Sequence, residues 1–430
     1  MLTTKHFFQT QAMSARSPLY DAVKDNNVER VAQLLADNSA DLNQLDKGGW
    51  TAFHNSACLG HEKVTKMLIK AGADVNQADC YGWSPLYRAV FNRNQKMVAL
   101  LIGTGADLNQ TEERHQTPLY CAVDKHDNEV ITLLIDAGAD LNQADVHGCT
   151  PLYHSVSTGN EKAIALLINA GADVNKADIH GCTPLYLAAK NGREHLVALL
   201  INAGANVNKA NNDDWTPLYC AVYHHTENAA AHTEKVVTLL INAGADVNKA
   251  AKDAFTPLCR AAKNLRGNTV ALLIDAGADL NHTAGDGWTP LYRAVSNSNE
   301  RTVALLIKAG ADVNKATDSG FTPIYLACAK NHGMLVARLI DSGADLHKVS
   351  KHDWTPMFVF ERCTDISALL RHGMRKREHC RLFSLANLLQ PLDLPVLVVY
   401  KIYSAVPLYA DKLLSRFDAW RVLTAIKHHA

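Results

Sequence analysis

Thr150-Pro-Leu-Tyr-His-Ser-Val-Ser-Thr-Gly159-Asn-Glu161-Lys-Ala-Ile-Ala-Leu-Leu-Ile-Asn169-Ala-Gly171-Ala-Asp-Val-Asn175 carries the signals from which the architecture follows. Thr150 is an N-cap, a hydroxyl able to accept one of the N–H groups that a helix start leaves unpaired. Pro151 follows at the first helical position, where a missing N–H costs nothing. A short helix therefore begins here and ends at a polar turn. A second helix, Glu161 to Asn169, places Leu and Ile on its buried side, and Gly171 supplies the left-handed residue that stops it. Asp and Gly in Ala144-Asp-Val-His-Gly148, just before the next Thr, have the chemistry of a tight turn.

The same unit recurs along the chain. Thr-Pro-Leu-Tyr or a close variant begins at Ser17, Thr51, Ser84, Thr117, Thr150, Thr183, Thr216, Thr256, Thr289, Thr322 and Thr355, at intervals of 33 residues apart from one of 34 and one of 40. Gly-Ala-Asp-Val/Leu-Asn keeps step with it at Gly72, Gly105, Gly138, Gly171, Gly244, Gly277 and Gly310. Two markers in phase over this length define a repeat protein rather than the three ordinary domains that 430 residues would otherwise suggest. The 40-residue interval holds seven extra residues around Tyr223 to Thr233, expected to lengthen the turn between two helices.

This unit resembles the ankyrin repeat, with its Thr-Pro-Leu-His tetrad and 33-residue period. The resemblance spans eleven units, Ser17 to Met374, and implies an all-α solenoid of helix-turn-helix units joined by β-hairpin finger loops. The domain plan is then an N-terminal cap at 1–16, the repeats at 17–374 and a helical module at 375–430. Tyr replaces the family's His at Tyr20, Tyr87, Tyr120, Tyr153, Tyr186, Tyr219, Tyr292 and Tyr325; only His54 keeps it. A phenol can also span to a neighbouring backbone group while burying more area. The resemblance implies a non-catalytic monomer that binds another folded protein along its fingers and concave inner helices.

The residue before each tetrad is Trp50, Trp83, Gln116, Cys149, Cys182, Trp215, Phe255, Trp288, Phe321 and Trp354. Trp50, Trp83, Trp215, Phe255, Trp288, Phe321 and Trp354 are thus candidate partner-binding residues, since exposed aromatics anchor interfaces. Packing of each ring on the next finger is the structural alternative, and the two readings are compatible. His147 with Cys149 and His180 with Cys182 are zinc-ligand types, but successive fingers lie too far apart to share an ion. No metal site and no cofactor are therefore expected. No phosphate-binding glycine loop, His-Glu-x-x-His or Gly-x-Ser-x-Gly occurs, and no Cys is marked as activated, so no catalytic residue is assigned.

Beyond Met374 the markers stop. From Val359 to Ala430 there are eleven Lys/Arg against six Asp/Glu, so this +5 segment balances −5 elsewhere in a chain of zero formal charge. Arg371-His-Gly-Met-Arg-Lys-Arg377 reads as the solvated end of a helix or as a nuclear signal. Leu394-Pro395-Val-Leu397, with Ile402, resembles an F-box, and Ser384-Leu-Ala-Asn-Leu-Leu before Leu392-Asp-Leu-Pro395 resembles a SOCS box. Either would make Leu394, Pro395, Leu397 and Ile402 adaptor contacts and the chain a substrate receptor of a ubiquitin ligase; the alternative is a capping bundle. Overall balance of charge gives no pull toward nucleic acid or an anionic membrane. A hydrophobic content of 47% excludes a mostly disordered chain. No run of 18 apolar residues and no apolar leader core occur, and the ten cysteines form no Cys-x-x-Cys pair, so a reducing cytoplasmic or nuclear setting is expected.

Overall fold

The computed structural model describes residues 17–37, 40–46, 48–223, 230–264, 267–351 and 356. The expected cap at 1–16, Trp354, the basic cluster 371–377 and the module 375–430, with Leu394, Pro395, Leu397 and Ile402, lie outside them. Twenty helices follow in chain order, alternating between an inner helix begun by the tetrad and an outer one. The inner helices are α1 (Pro18–Lys24), α3 (Ala52–Leu59), α5 (Pro85–Phe91), α7 (Pro118–Asp124), α9 (Pro151–Thr158), α11 (Pro184–Lys190), α13 (Pro217–Tyr223), α15 (Pro257–Lys263), α17 (Pro290–Ser296) and α19 (Pro323–Ala329). Their outer partners are α2 (Val28–Ala36), α4 (Glu62–Lys70), α6 (Gln95–Gly103), α8 (Asn128–Asp136), α10 (Glu161–Asn169), α12 (Glu194–Asn202), α14 (Ala230–Asn242), α16 (Gly267–Asp275), α18 (Glu300–Lys308) and α20 (Gly333–Asp341). The chain divides into two compact units, one running to Ala294 with Lys308–Ala311, the other made of Val295–Ile307 and the chain from Asp312 onward.

The caps form as the sequence predicts. Thr150 Oγ1 accepts from the Tyr153 N–H at 3.1 Å, and Ser17, Ser84, Thr117, Thr183, Thr216 and Thr256 do the same in their repeats. Thr51 is capped reciprocally, its hydroxyl facing the His54 N–H and its own N–H donating to His54 Nδ1 at 3.2 Å. Burial holds the His54 imidazole below its ordinary pKa, against the opposing pull of Asp79.

Within the first unit inner helices pack on inner helices, α1 on α3 and onward to α13 on α15, and each packs on its own outer helix. Leu152, Val156, Ala163, Ile164 and Leu167 of one repeat are wholly buried, as are Leu119, Val123, Val130, Ile131 and Leu134 of the repeat before it. Each such side chain contributes about 2 kcal/mol, which a helix of two turns needs to exist at all. Cys121 and Cys220 sit in this core as small apolar fillers.

Polar groups join the repeats as well. In the marker Gly-Ala-Asp-x-Asn, the Asp carboxylate accepts from the N–H two residues on, as Asp140 does from Asn142 at 2.8 Å. The Asn reaches the next repeat: Asp107, Asp140, Asp173, Asn206, Asp246 and Asp279 donate their N–H groups to Asn76, Asn109, Asn142, Asn175, Asn208 and Asn248 at 2.7–2.8 Å. In the second unit Asp345 donates to Asn314 in the same way. The seven-residue insertion leaves this ladder intact at Asn208 and Asp246. Part of it is helical rather than turn, because α14 runs for 13 residues where other outer helices have nine, as alanine at 229–231 favours.

The fingers are tight turns; no strand is present among the described residues. Asp145 N–H donates to Cys149 O at 3.0 Å and Gly148 N–H to Asp145 O at 2.9 Å. Gly148 has φ +76°, and a Cβ there would lie 2.8 Å from Ile179 N, so glycine is required twice over. Ala254 occupies the corresponding corner at φ +60°. Ala254→Gly is therefore expected to raise stability by about 0.5 kcal/mol, the relief of left-handed strain exceeding the added chain entropy. Urea unfolding at matched m-value measures it.

Candidate interaction surface

In the fingers at 145–149 and 178–182 the aspartate that begins the turn positions what lies above it. Asp145 Oδ1 accepts from the His147 and Cys149 N–H groups at 2.9 Å, and Asp178 Oδ1 from those of His180 and Cys182. Their second oxygens accept from the Tyr120 hydroxyl at 3.1 Å and the Tyr153 hydroxyl at 3.0 Å, which come from the preceding repeat. Tyr120 and Tyr153, two of the tyrosines that stand for the family's histidine, thus reach a side chain of the next finger rather than a backbone group. Burial first, and the adjacent carboxylate second, push both phenols above their ordinary pKa and keep them as donors. One carboxylate fixes its own turn and ties it to the helix before.

Trp50, Trp83, Trp215, Phe255, Trp288 and Phe321 are all half-buried. Trp83, Trp215, Trp288 and Phe321 pack on the tyrosine of their own tetrad, with ring centroids 4.9, 5.2, 4.8 and 4.5 Å apart. Arginines occupy the faces of several rings. The Arg88 guanidinium lies between Trp50 and Trp83, 4.4 and 4.0 Å from the two centroids, and its Nε donates to Asp79 at 3.1 Å. Phe255 in turn lies between Arg260 and Arg293, at 4.4 and 4.0 Å, with Arg293 also 5.4 Å from Trp288. Asp253 and Asp286 hold these two guanidinium groups. Arg260 also donates to the Tyr219 hydroxyl, at 2.7 Å.

These arginines escaped the sequence reading, although a signal was present. Arg88, Arg260 and Arg293 each follow an aromatic finger residue by five positions, and where Gln116, Cys149 or Cys182 replaces the ring, Cys121, His154 or Leu187 replaces the arginine. The acid moves with them. Asp79 both closes its finger turn and binds Arg88, whereas fingers that begin with Ala251 and Ala284 carry Asp two positions later, facing the arginine.

In the stretch without rings, His154 stacks on Tyr120 at 4.7 Å and meets Asp124 at 3.2 Å. Burial pushes the Cys149 thiol up to about 12, with Asp145 and Asp178 adding to it. Such a thiol is a poor nucleophile. Among the described residues no three His, Cys, Asp or Glu side chains gather closely enough to hold an ion.

Beside Trp83 a cleft of about 600 Å³ opens between the second and third fingers. Tyr81, Trp83, Arg88 and Phe91 form one wall; Glu113, Arg114, Gln116, Asp124 and Lys125 are on the other. Its walls are joined by the Glu113 N–H donating to Tyr81 O.

A family model described as ankyrin repeats (3 copies) matches residues 19–112, 104–178, 175–250, 227–317 and 258–350. The chain belongs to the ankyrin-repeat family. Among solved structures it is similar to the ankyrin repeat domain of Bcl-3, described as a unique member of the IkappaB protein family. The two share 26% identity with a TM-score of 0.48, over 53% of this chain and 99% of that one. No curated protein matches. Ankyrin repeats are interaction modules, and the chain is accordingly a protein–protein interaction scaffold. Among the described residues no helix is long and apolar enough to cross a membrane.

Arg88→Ala is expected to cost about 3 kcal/mol, because it strips both indoles and leaves the fully buried Asp79 carboxylate without its cation. Arg88→Lys recovers less than half of this, since an ammonium cannot stack as a planar fork. Thermal unfolding of the three proteins side by side gives the answer.

Proposed function

We propose that this ankyrin-repeat protein is a non-catalytic, monomeric scaffold that binds a partner protein along the face made by its fingers and inner helices. The aromatic positions Trp50, Trp83, Trp215, Phe255, Trp288 and Phe321 contribute the ring edges that their arginines and tyrosines leave open; Trp354 holds the same place in the sequence repeat. One observation carries the reading. In the first unit the large apolar side chains left exposed are Leu45, Leu59, Tyr81, Phe91, Val146, Ile179 and Tyr223. Each is on a finger or is the last residue of an inner helix; in the second unit Val349 is exposed beyond the helices, and Met334 is exposed on the outer helix α20. Apolar area that a core does not use, gathered on one side, marks a surface that another molecule covers.

Val146 and Ile179 sit on adjacent fingers, 45% and 57% exposed. Replacing both by Ser is expected to leave the melting temperature unchanged and to abolish capture of partner protein from lysate by the full chain. Thr132→Arg, on the exposed side of α8, is expected to leave both the melting temperature and the capture unchanged. Loss of capture in the Thr132 variant alone would place the partner on the outer helices instead.

A ubiquitin-ligase role is a separable addition. If Leu394, Pro395, Leu397 and Ile402 recruit an adaptor, deleting 375–430 removes an adaptor of the Skp or elongin type from the captured material and retains the partner. Absence of both adaptors from the full-chain sample rejects the addition and leaves the scaffold.

A further inference from the structure

We propose that the cleft between the second and third fingers receives an acidic, extended segment of the partner that carries one large apolar side chain. The proposal rests on the scaffold reading above and adds the chemistry of what is bound. Tyr81 and Phe91 are 56% and 39% exposed, and both face this one concavity. Its floor is fixed: Trp83 packs on Tyr87 and on Phe91 at 4.9 Å, and Arg88 covers a Trp83 face. A ring or long aliphatic chain entering the cleft therefore meets aromatic walls already in place, with little ordering cost. A volume of about 600 Å³ is in the range of built binding sites.

The charges select the flanking residues. Two carboxylates at the cleft are turned inward and spent on backbone. Asp79 accepts from the Tyr81 and Trp83 N–H groups and from Arg88, and Glu112 accepts from the Arg114 and Gln116 N–H groups at 2.8 and 3.2 Å. Asp124 is shared between Lys125 at 3.4 Å and His154 at 3.2 Å. The outward acids are Glu113 and Asp124, against Arg114, Lys125 and the neighbouring Arg93, whose guanidinium reaches the Lys125 carbonyl, so the cations exceed the acids by one. The Lys125 ammonium stands 4.1 Å over the Phe91 ring. A carboxylate placed next to an apolar anchor on Phe91 would meet that cation directly, so the two recognition elements belong close together in the ligand. Complementary charge at such a rim sets partner choice and association rate.

Selection of short linear peptides displayed on phage, with the purified full chain as bait, tests this. Enriched peptides are expected to pair Asp or Glu with Phe, Tyr, Trp or Leu within a few positions. A synthetic, dye-labelled winner should lose about tenfold in affinity on Arg114→Glu, and weaken with added salt. It should lose binding in the Tyr81→Ser/Phe91→Ser variant, whose melting temperature verifies folding. Enrichment of basic or purely apolar peptides, no enrichment, or undiminished binding to the double variant overturns the proposal. If the Val146/Ile179 variant still loses its partner while the cleft variants keep theirs, the cleft assignment fails and the scaffold reading stands.

Discussion

A helix of seven to nine residues has no independent existence in water, and every helix among the described residues but α14 is of that length. The repeats therefore live on their neighbours. Leu, Val, Ile and Ala on both helices of a unit are buried by the units before and after it, and the backbone groups at each junction need partners from the same neighbours. The asparagine of Gly-Ala-Asp-x-Asn supplies one such partner and the finger carboxylate another. Apolar burial holds the units together without directional preference; these short polar contacts set the register in which they meet.

The finger shows how stability and recognition share side chains. Asp145 and Asp178 hold their turns and accept a phenol from the preceding repeat, so loop and helix form one rigid piece. Trp50, Trp83, Phe255 and Trp288 are clamped by the guanidinium groups of Arg88, Arg260 and Arg293, each fixed by an aspartate. What these clamps leave outside is a set of ring edges, exposed aliphatic tips and outward cations. Recognition can vary there because little of the frame depends on those outward groups. Ile179 is exposed and can change; Asp178, one residue earlier, cannot change without freeing the turn and the Tyr153 hydroxyl.

Local features were legible in the sequence. Caps, helix ends and the finger corner are decided by groups within three or four residues of one another, and Thr150, Pro151, Gly148 and Gly171 state them plainly. The helical period was equally plain. Contacts between repeats were not. Tyr219 and Arg260 are 41 residues apart, and the guanidinium between Trp50 and Trp83 belongs to a helix the ring pattern does not mention. The aromatic row is half-buried at every described position, and several of its rings pack on tyrosines and arginines of the frame. Alanines in the insertion extend α14, because their helix propensity lengthens an existing outer helix at no nucleation cost.

The asparagine ladder has a direction. Each acceptor belongs to the earlier repeat and each N–H to the later, and the bond is the same whichever two repeats adjoin. Removing or duplicating a whole unit brings an old acceptor against an equivalent donor and orphans neither. The insertion at 224–233 obeys the same logic, since Asn208 still finds Asp246 across it. A chain built this way can change its length by gene duplication in steps of one repeat while each intermediate keeps its junctions satisfied. The likeness of units such as Ala144 to Asn175 and Ala177 to Asn208, identical at 21 of 32 positions, is what such a history would leave.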